Sequence, residues 1–182
     1  MKTNAFHSVL ISFLLSVVAA AHGDHHGSPF SEPTIDLGCV VSDLDAAVEF
    51  YTEAIGFQEA GGFQVDGDYA KEVGLTDGKA LDIKVLTLGE GEEATRLKFM
   101  EAGGRSRKVK NDHITTSLGF SYITIFVKST DEAMARLEKA GVKPIANSPK
   151  ALPANLNPEM ALTIVRDPDG NFVELVGPKP GS

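Results

Sequence analysis

Two stretches of the chain place apolar residues at the three- and four-residue spacing of an amphipathic helix. In the first, Asp43 precedes apolar residues that recur as far as Ile55, and Gly56 follows them. In the second, Ser129 precedes an apolar stripe that ends before Gly141. Asp and Ser are favoured at helix N-caps and Gly just beyond the C-terminal end. The pattern therefore predicts two helices with similar starts and stops.

Short, mostly apolar segments flank each helix and predict β-strands. One strand precedes each helix, and three follow it. The predicted strands are 34–41, 61–65, 80–88 and 96–101 in the first half, and 120–127, 143–145, 161–166 and 171–176 in the second. A short helix is also predicted within 68–75. Each half thus has the order βαβββ, which is an internal repeat.

Successive strand residues point to opposite faces of a sheet, and the two faces differ here. One face is uniformly apolar, and we expect the helices to cover it, with Cys39 as a small core residue. The other, which we call the cup face, combines large apolar and polar side chains, as a ligand cavity does. It comprises Asp36, Gly38, Val40, Arg96, Lys98, Met100, Phe120, Tyr122, Thr124, Phe126, Phe172, Glu174 and Val176. The fold class predicted is α+β, a cupped mixed sheet with helices on its outer face.

The first 33 residues differ from the rest. Lys2 precedes an apolar run over 9–21 that is short for a membrane span and ends in small residues, which is typical of a cleaved signal peptide. We expect residues 1–21 to be removed, giving a secreted or periplasmic protein with no membrane attachment; an uncleaved N-terminal anchor is the alternative. Residues 22–33 are expected to be a polar spacer, although their three histidines can bind Cu(II), Ni(II) or Zn(II).

Composition narrows the possible functions. The 182 residues include 17 Lys and Arg against 25 Asp and Glu, a net charge of −8, which argues against binding to nucleic acid or anionic membranes. The single Cys excludes an intrachain disulfide and a Cys-cluster zinc site. Basic residues cluster in one segment, where they could capture a substrate carboxylate or phosphate. We expect instead that this segment is a solvated linker or that it pairs with the protein's own acidic surface. The basic residues are Arg105, Arg107, Lys108 and Lys110.

Two sets of residues resemble a known superfamily. The first module contains Val41-Ser42-Asp43-Leu44, Phe50-Tyr51 and Ile55-Gly56-Phe57, and the second contains Asp167-Pro168-Asp169-Gly170-Asn171 followed by Phe172-Val173-Glu174-Leu175. With the βαβββ order, they resemble the vicinal oxygen chelate superfamily. It includes glyoxalase I, extradiol dioxygenases, methylmalonyl-CoA epimerase and bleomycin- and fosfomycin-resistance proteins. The resemblance covers one domain, 34–178, with module 1 at 34–101, a joining loop at 102–117 and module 2 at 118–178. It is strongest to the broad glyoxalase-like group.

The resemblance implies one metal ligand on the first and last strand of each module, usually His or Glu in glyoxalases. The matching positions hold Asp36, Lys98, Tyr122 and Glu174, and only Glu174 is of the usual type. Because a protonated Lys cannot be a ligand, we expect the Lys98 ammonium to replace the ion and no metal to bind tightly. If Zn, Ni, Mn or Fe is bound, Glu174 and Asp36 are its expected ligands. In another interpretation, Asp36 and Lys98 extend into water and leave a merely polar cavity mouth.

The implied function is proton-transfer chemistry of the lyase or isomerase type on a small oxygenated carbonyl compound. Glu174 or Asp36 would be the general base, and Lys98 or Tyr122 would stabilise the enolate. Two alternatives stay open: a non-catalytic binder that sequesters a small molecule, as resistance proteins do, and a metal-dependent lactoylglutathione lyase or dioxygenase with non-standard ligands. A homodimer is also compatible with the family. The expected substrate contacts are Arg96, Met100, Phe120, Thr124, Phe126 and Phe172.

Overall fold

A computed structural model describes Pro29 and residues 34–91, 93–101 and 106–181. The expected signal peptide, and the spacer apart from Pro29, lie outside these residues. Within the described part of the chain, no helix is long and apolar enough to cross a membrane.

The two modules have the order of elements that the sequence predicts. Each forms a four-stranded mixed sheet, with strand orders β1-β4-β3-β2 and β5-β8-β7-β6. In each sheet the first strand pairs in parallel with the last, and the other pairs are antiparallel. Module 1 contains β1 (Asp36–Val41), α1 (Leu44–Glu49, continued by a π-helical segment at Phe50–Ile55), β2 (Gln58–Val65), α2 (Gly67–Glu72), β3 (Leu81–Leu88) and β4 (Thr95–Glu101). Module 2 contains β5 (Tyr122–Phe126), α3 (Thr130–Lys139), β6 (Lys150–Ala151), β7 (Met160–Arg166) and β8 (Phe172–Pro178).

The predicted helix ends are confirmed by their hydrogen bonds. The Asp43 carboxylate accepts from the Ala46 amide at 2.9 Å, and the Ser129 hydroxyl accepts from the Glu132 amide at 3.2 Å. Gly56 ends the first helix with φ of 103°, a left-handed conformation that glycine adopts without steric cost. Local sequence therefore determines where both module helices begin and where the first one ends.

One strand prediction is wrong. Residues 143–145 form no strand, and the short β6 instead lies at Lys150–Ala151. Pro144 has no amide hydrogen to donate to a sheet ladder, and Ala146 has a positive φ of 51°, so this segment cannot continue as regular strand. A single bond from the Ile145 amide to the Ile164 carbonyl at 2.8 Å is what remains of the expected pairing.

The core lies between the helices and the apolar face of both sheets, as predicted. Phe99, Leu137 and Val173 are among its fully buried members, and Cys39 packs against it, partly buried. Full burial of such a side chain stabilises the fold by about 1.5–3 kcal/mol. Since the same cluster contains residues of both modules, they share one core. Three side-chain hydrogen bonds also join the modules: Tyr51 to Asp167, the Ser42 amide to Asp169, and Arg136 to the Ile55 carbonyl.

Candidate functional site

In module 1 the candidate polar residues form an ion pair on the cup face. Lys98 of β4 pairs in register with Gly38 of β1, and Asp36 lies two residues before Gly38 on the same face. The Lys98 Nζ is 2.6 Å from Asp36 Oδ2, and Arg96 Nη1 is 3.9 Å from Asp36 Oδ1. Both side chains of the close pair are about one-third exposed, so water screens much of their attraction. The Phe63 ring centroid lies 5.8 Å from the same ammonium.

In module 2 a carboxylate and a hydroxyl occupy the corresponding place. Glu174 of β8 pairs in register with Thr124 of β5, and Tyr122 lies two residues before Thr124. The Thr124 hydroxyl donates to Glu174 Oε2 at 2.8 Å. Among the described side chains, no cation forms a salt bridge with Glu174. Tyr122 is 49% exposed.

The two strand registers confirm that the candidate positions are equivalent. Asp36 corresponds to Tyr122, and Lys98 corresponds to Glu174. Within the part of the chain that the structure describes, no hydrogen bond or ion pair joins the Asp36–Lys98 pair to Glu174. That the four groups share one pocket therefore stays a prediction.

The cup face is more open than the sequence suggests. Phe172 is buried and Met100 half-buried, as expected of pocket walls. Phe126, however, is 76% exposed, and Phe120 is fully exposed and lies before β5 rather than within it. Their contact with a substrate stays a prediction. Their exposure has a topological reason, since β5 is an edge strand of its sheet and has β8 as its one neighbour among the described strands.

Sequence reasoning missed a third cation on the cup face, in addition to Arg96 and Lys98. Arg166 of β7 pairs in register with Phe172, and its guanidinium carbon lies 3.9 Å from the Phe172 ring centroid. Its Nη1 donates to the Gly170 carbonyl at 2.6 Å and its Nη2 to the Asp112 carbonyl at 3.0 Å. Arg166 therefore fastens the loop between the modules to the second sheet. Because Arg166 lies within the predicted strand 161–166, strand alternation could have assigned it to a face of the sheet.

The donor set does not fit a divalent metal. Among the described residues, no three His, Cys, Asp or Glu side chains form a group that could hold a metal ion. Asp36, one of the two expected carboxylate ligands, is already in contact with an ammonium group. Lys98 occupies the position of a third ligand, and an ammonium has no lone pair to offer a metal.

Two lysines of the basic loop contact the protein itself, although their side chains remain mostly exposed, at 61% for Lys108 and 78% for Lys110. Lys108 Nζ donates to the Pro168 carbonyl at 3.2 Å and lies 3.9 Å from Asp169, while Lys110 lies 3.2 Å from Asp112. Arg105 lies outside the described residues. The contacts of these two lysines favour a structural role over anion capture.

A buried polar cluster lies beneath the cup, at the contact between the modules. Asp167 accepts hydrogen bonds from the Tyr51 hydroxyl at 3.2 Å and from the Asn171 amide and side-chain nitrogens at 2.8 Å each. Burial, together with Asp167, raises the pKa of Tyr51 well above its ordinary value. Burial, with Asp167 and Asp169, raises the pKa of Cys39 to about 11. Both groups are therefore protonated at neutral pH, and Cys39 is a poor nucleophile.

Two βαβββ modules, each with a four-stranded mixed sheet and helices on one face, define a class of α+β protein in which the helices leave the other face of each sheet uncovered. Residues 36–175 match the family model of the Glyoxalase/Bleomycin resistance protein/Dioxygenase superfamily, and the chain belongs to this superfamily. This confirms the resemblance at the level of the superfamily.

Solved structures show the same fold. A glyoxalase family protein from Bacillus cereus is similar with a TM-score of 0.64 and 19% identity, over 83% of this chain and 97% of that one. A glyoxylase/bleomycin resistance protein/dioxygenase domain from Frankia has a TM-score of 0.54 and 22% identity, over 85% and 95%. A glyoxalase family protein from Enterococcus faecalis has a TM-score of 0.52 and 18% identity, over 83% and 98%. No curated protein matches the sequence significantly.

Proposed function

We propose that the protein binds a small oxygenated carbonyl compound on its cup face and catalyses a proton transfer on it, a reaction of the lyase or isomerase type. The observation that supports this most is the arrangement of Glu174. Its carboxylate is held on the cup face by one neutral hydroxyl, at the position equivalent to that of Lys98. A positioned carboxylate without a cationic partner is suited to accept a proton.

Glu174 is a better candidate for the base than Asp36. The Asp36 carboxylate already contacts two cations, with Oδ2 2.6 Å from Lys98 Nζ and Oδ1 3.9 Å from Arg96 Nη1, so neither of its oxygens is free to approach a substrate proton. Glu174 uses Oε2 to accept from Thr124, which leaves Oε1 for a substrate proton. The proposal therefore assigns the base role to Glu174. The Asp36–Lys98 pair transfers no proton and acts on the substrate through its charges alone.

Tyr122 is the proposed donor to the developing enolate. Tyr122 lies two residues before the partner of Glu174 on the neighbouring strand, just as Asp36 lies two residues before the partner of Lys98. In module 1 this placement brings the Asp36 and Lys98 side chains to 2.6 Å from each other. In the proposed reaction Glu174 removes a proton from the carbon next to the carbonyl. The oxygen of the resulting enolate accepts a hydrogen bond from Tyr122, and Glu174 then returns the proton to a neighbouring atom. Half-exposure of Tyr122 leaves its hydroxyl accessible to a ligand.

A second candidate function is sequestration without catalysis. The open, aromatic cup face around Phe126 favours it, because such a surface can bind a small molecule while leaving the reacting groups hydrated. In both cases we propose export directed by residues 1–21. Pairing of two copies is compatible with either function.

The test is deuterium exchange of the carbon-bound protons next to the carbonyl of hydroxyacetone and dihydroxyacetone, followed by proton NMR in D₂O. The proposal expects protein-dependent exchange that falls by at least about a hundredfold in Glu174→Gln, the range contributed by a general base. Glu101→Gln is the matched control, because Glu101 also lies on a terminal module strand but pairs with Val41, away from the cup face.

Exchange that survives in Glu174→Gln would overturn the assigned base. If neither carbonyl compound exchanges faster than in buffer yet either one binds, and Glu174→Gln weakens that binding, the sequestration function replaces the catalytic one. Absence of both exchange and binding would overturn both functions for this class of compound.

A further inference from the structure

A cavity of about 150 Å³ lies where the edge strands β1 and β5 approach each other. Leu97, Phe99 and Ile123, which belong to the helix-covered face, contribute to its walls, together with Tyr51. Phe120, the exposed aromatic residue before β5, also lines it. We call this space the seam cavity.

The seam cavity adjoins the cup face but does not include its charged groups. Tyr122, the proposed enolate donor, is one of its lining residues, whereas Asp36, Lys98 and Glu174 are not. Most of its walls come from the opposite side of the strands, beneath the cup face. The space is open to solvent beside the exposed Phe120, so a ligand can enter it from the surface.

The chemistry of the walls indicates a neutral ligand. No Asp, Glu, Lys, Arg or His lines the seam cavity. Its thiol, Cys39, and its phenol, Tyr51, both have pKa values raised by burial, so neither contributes a charge at neutral pH. A charged ligand would lose its hydration without gaining a partner, which disfavours its entry.

The Asn171 side chain on the wall has unused hydrogen-bonding capacity. Tyr51 and the side-chain nitrogen of Asn171 both donate to Asp167, and the Ser121 hydroxyl donates to the Ile114 carbonyl. The Asn171 side-chain oxygen is an acceptor that this arrangement leaves for a ligand. A ligand with a single hydroxyl donor matches it.

We infer that the seam cavity binds a neutral monocyclic aromatic molecule with one hydroxyl group, a compound of the phenol class. The volume agrees, since an apolar cavity of about 150 Å³ lined by aliphatic and aromatic residues accommodates a benzene ring. The ring lies against Phe99, Ile123 and Phe120, and the hydroxyl donates to Asn171. This inference does not depend on the proton-transfer function.

The test is a ¹⁹F NMR titration of the full chain with 4-fluorophenol, alongside fluorobenzene. Saturable binding is expected, with 4-fluorophenol bound at least about tenfold more tightly, because a ligand without the hydroxyl leaves the Asn171 oxygen without a donor. Ile123→Phe fills the cavity and should weaken both ligands by at least about tenfold. Glu174→Gln is the control for the cup face and should leave both affinities unchanged.

Chemical labelling offers a second way to fill the cavity if Ile123→Phe does not fold. Benzyl methanethiosulfonate attaches a benzylthio group to Cys39, the only cysteine of the chain, and dithiothreitol removes it again. Binding of 4-fluorophenol should disappear on labelling and return on reduction.

Non-saturable binding, or binding that survives both the labelling and a folded Ile123→Phe, would overturn the inference. Equal affinity for the two fluorinated ligands would overturn the role of Asn171. A loss of binding in Glu174→Gln would move the ligand to the cup face and so would also refute a separate site. Failure of the proton-transfer proposal leaves every one of these readouts unchanged.

Discussion

Removing the Tyr51 hydroxyl tests whether the two modules are held together by the buried bond to Asp167. Tyr51 is 4% exposed and Asp167 is 6% exposed, so neither group can exchange its partner for bulk water. Tyr51→Phe deletes one oxygen and leaves the ring, with its contacts to Phe50, Phe57 and Phe99, in place. The carboxylate then retains only the two hydrogen bonds from Asn171.

The expected loss follows from the geometry. A hydrogen bond to a charged group contributes about 1.5–3 kcal/mol to stability. The O···O distance is 3.2 Å, longer than the ~2.5–2.7 Å of a strong bond between a hydroxyl and a carboxylate, so the lower end applies. We expect Tyr51→Phe to lower the free energy of unfolding by about 1.5 kcal/mol, or about 3–6 °C in Tm. Asp167→Ala strands the donors of both Tyr51 and Asn171 and should cost about 3 kcal/mol or more.

The assay is urea unfolding followed by far-ultraviolet circular dichroism, with a double-mutant cycle on the two residues. In the Asp167→Ala background the hydroxyl has lost its acceptor, so Tyr51→Phe should cost almost nothing, giving a coupling energy of about 1.5 kcal/mol. Tyr69→Phe is the matched control, because Tyr69 is exposed, and it should change stability by less than about 0.5 kcal/mol. Equal effects of the two Tyr→Phe substitutions, or a coupling energy near zero, would refute the reasoning.

Three further predictions concern other positions. Although partial burial opposes it, the hydrogen bonds from Ser42 and the nearby lysine lower the pKa of Asp169. Asp169→Asn should therefore lower stability by ~1 kcal/mol at pH 7. In urea titrations across pH, this difference should begin to shrink near pH ~4 and disappear only as the pH falls through the lowered pKa of Asp169. The pKa of Cys39 is raised from 9.0 to about 11. Its alkylation by iodoacetamide should therefore be about a hundredfold slower than that of an ordinary thiol at pH 8, and the alkylation rate should keep rising up to pH 11. A rate that reaches a plateau near pH 9 would contradict this. Gly177→Ala places a methyl group 2.6 Å from a valine methyl and should lower the free energy of unfolding by about 1–3 kcal/mol, as thermal unfolding would show. Gly38→Ala, whose added methyl group has its nearest neighbour at 3.6 Å, should lower it by less.

The features that sequence predicts well are those that depend on neighbouring residues. Asp43 and Ser129 fix the helix starts through bonds to amides three residues later, and such bonds are visible as a residue type at a given position. Strand alternation likewise assigned Phe99 and Val173 to the core, because a period of two needs no knowledge of the partner strand. The repeat of the βαβββ order follows from these local patterns.

Features that depend on sheet edges and long-range partners were predicted less well. Strand alternation places Phe126 on the cup face, but it cannot show that β5 lies at an edge, where a side chain stays exposed. The predicted strand at 143–145 failed because an apolar run was weighed above Pro144, whose missing donor excludes it from an interior ladder position. Arg166 was overlooked because its partners are a ring and a carbonyl from different segments.

Apart from Glu174, the motif residues that reveal the superfamily are different from those proposed to do the chemistry. Tyr51, Asp167 and Asn171, which belong to the motifs, form the buried network between the modules. In this chain these contacts hold the two modules together. The cup face takes no part in them, so Lys98 can stand at the position where the resemblance implies a metal ligand without disturbing these contacts. The motifs therefore predict the architecture far better than they predict the reaction, and the chemistry has to be argued from Glu174 and its surroundings alone.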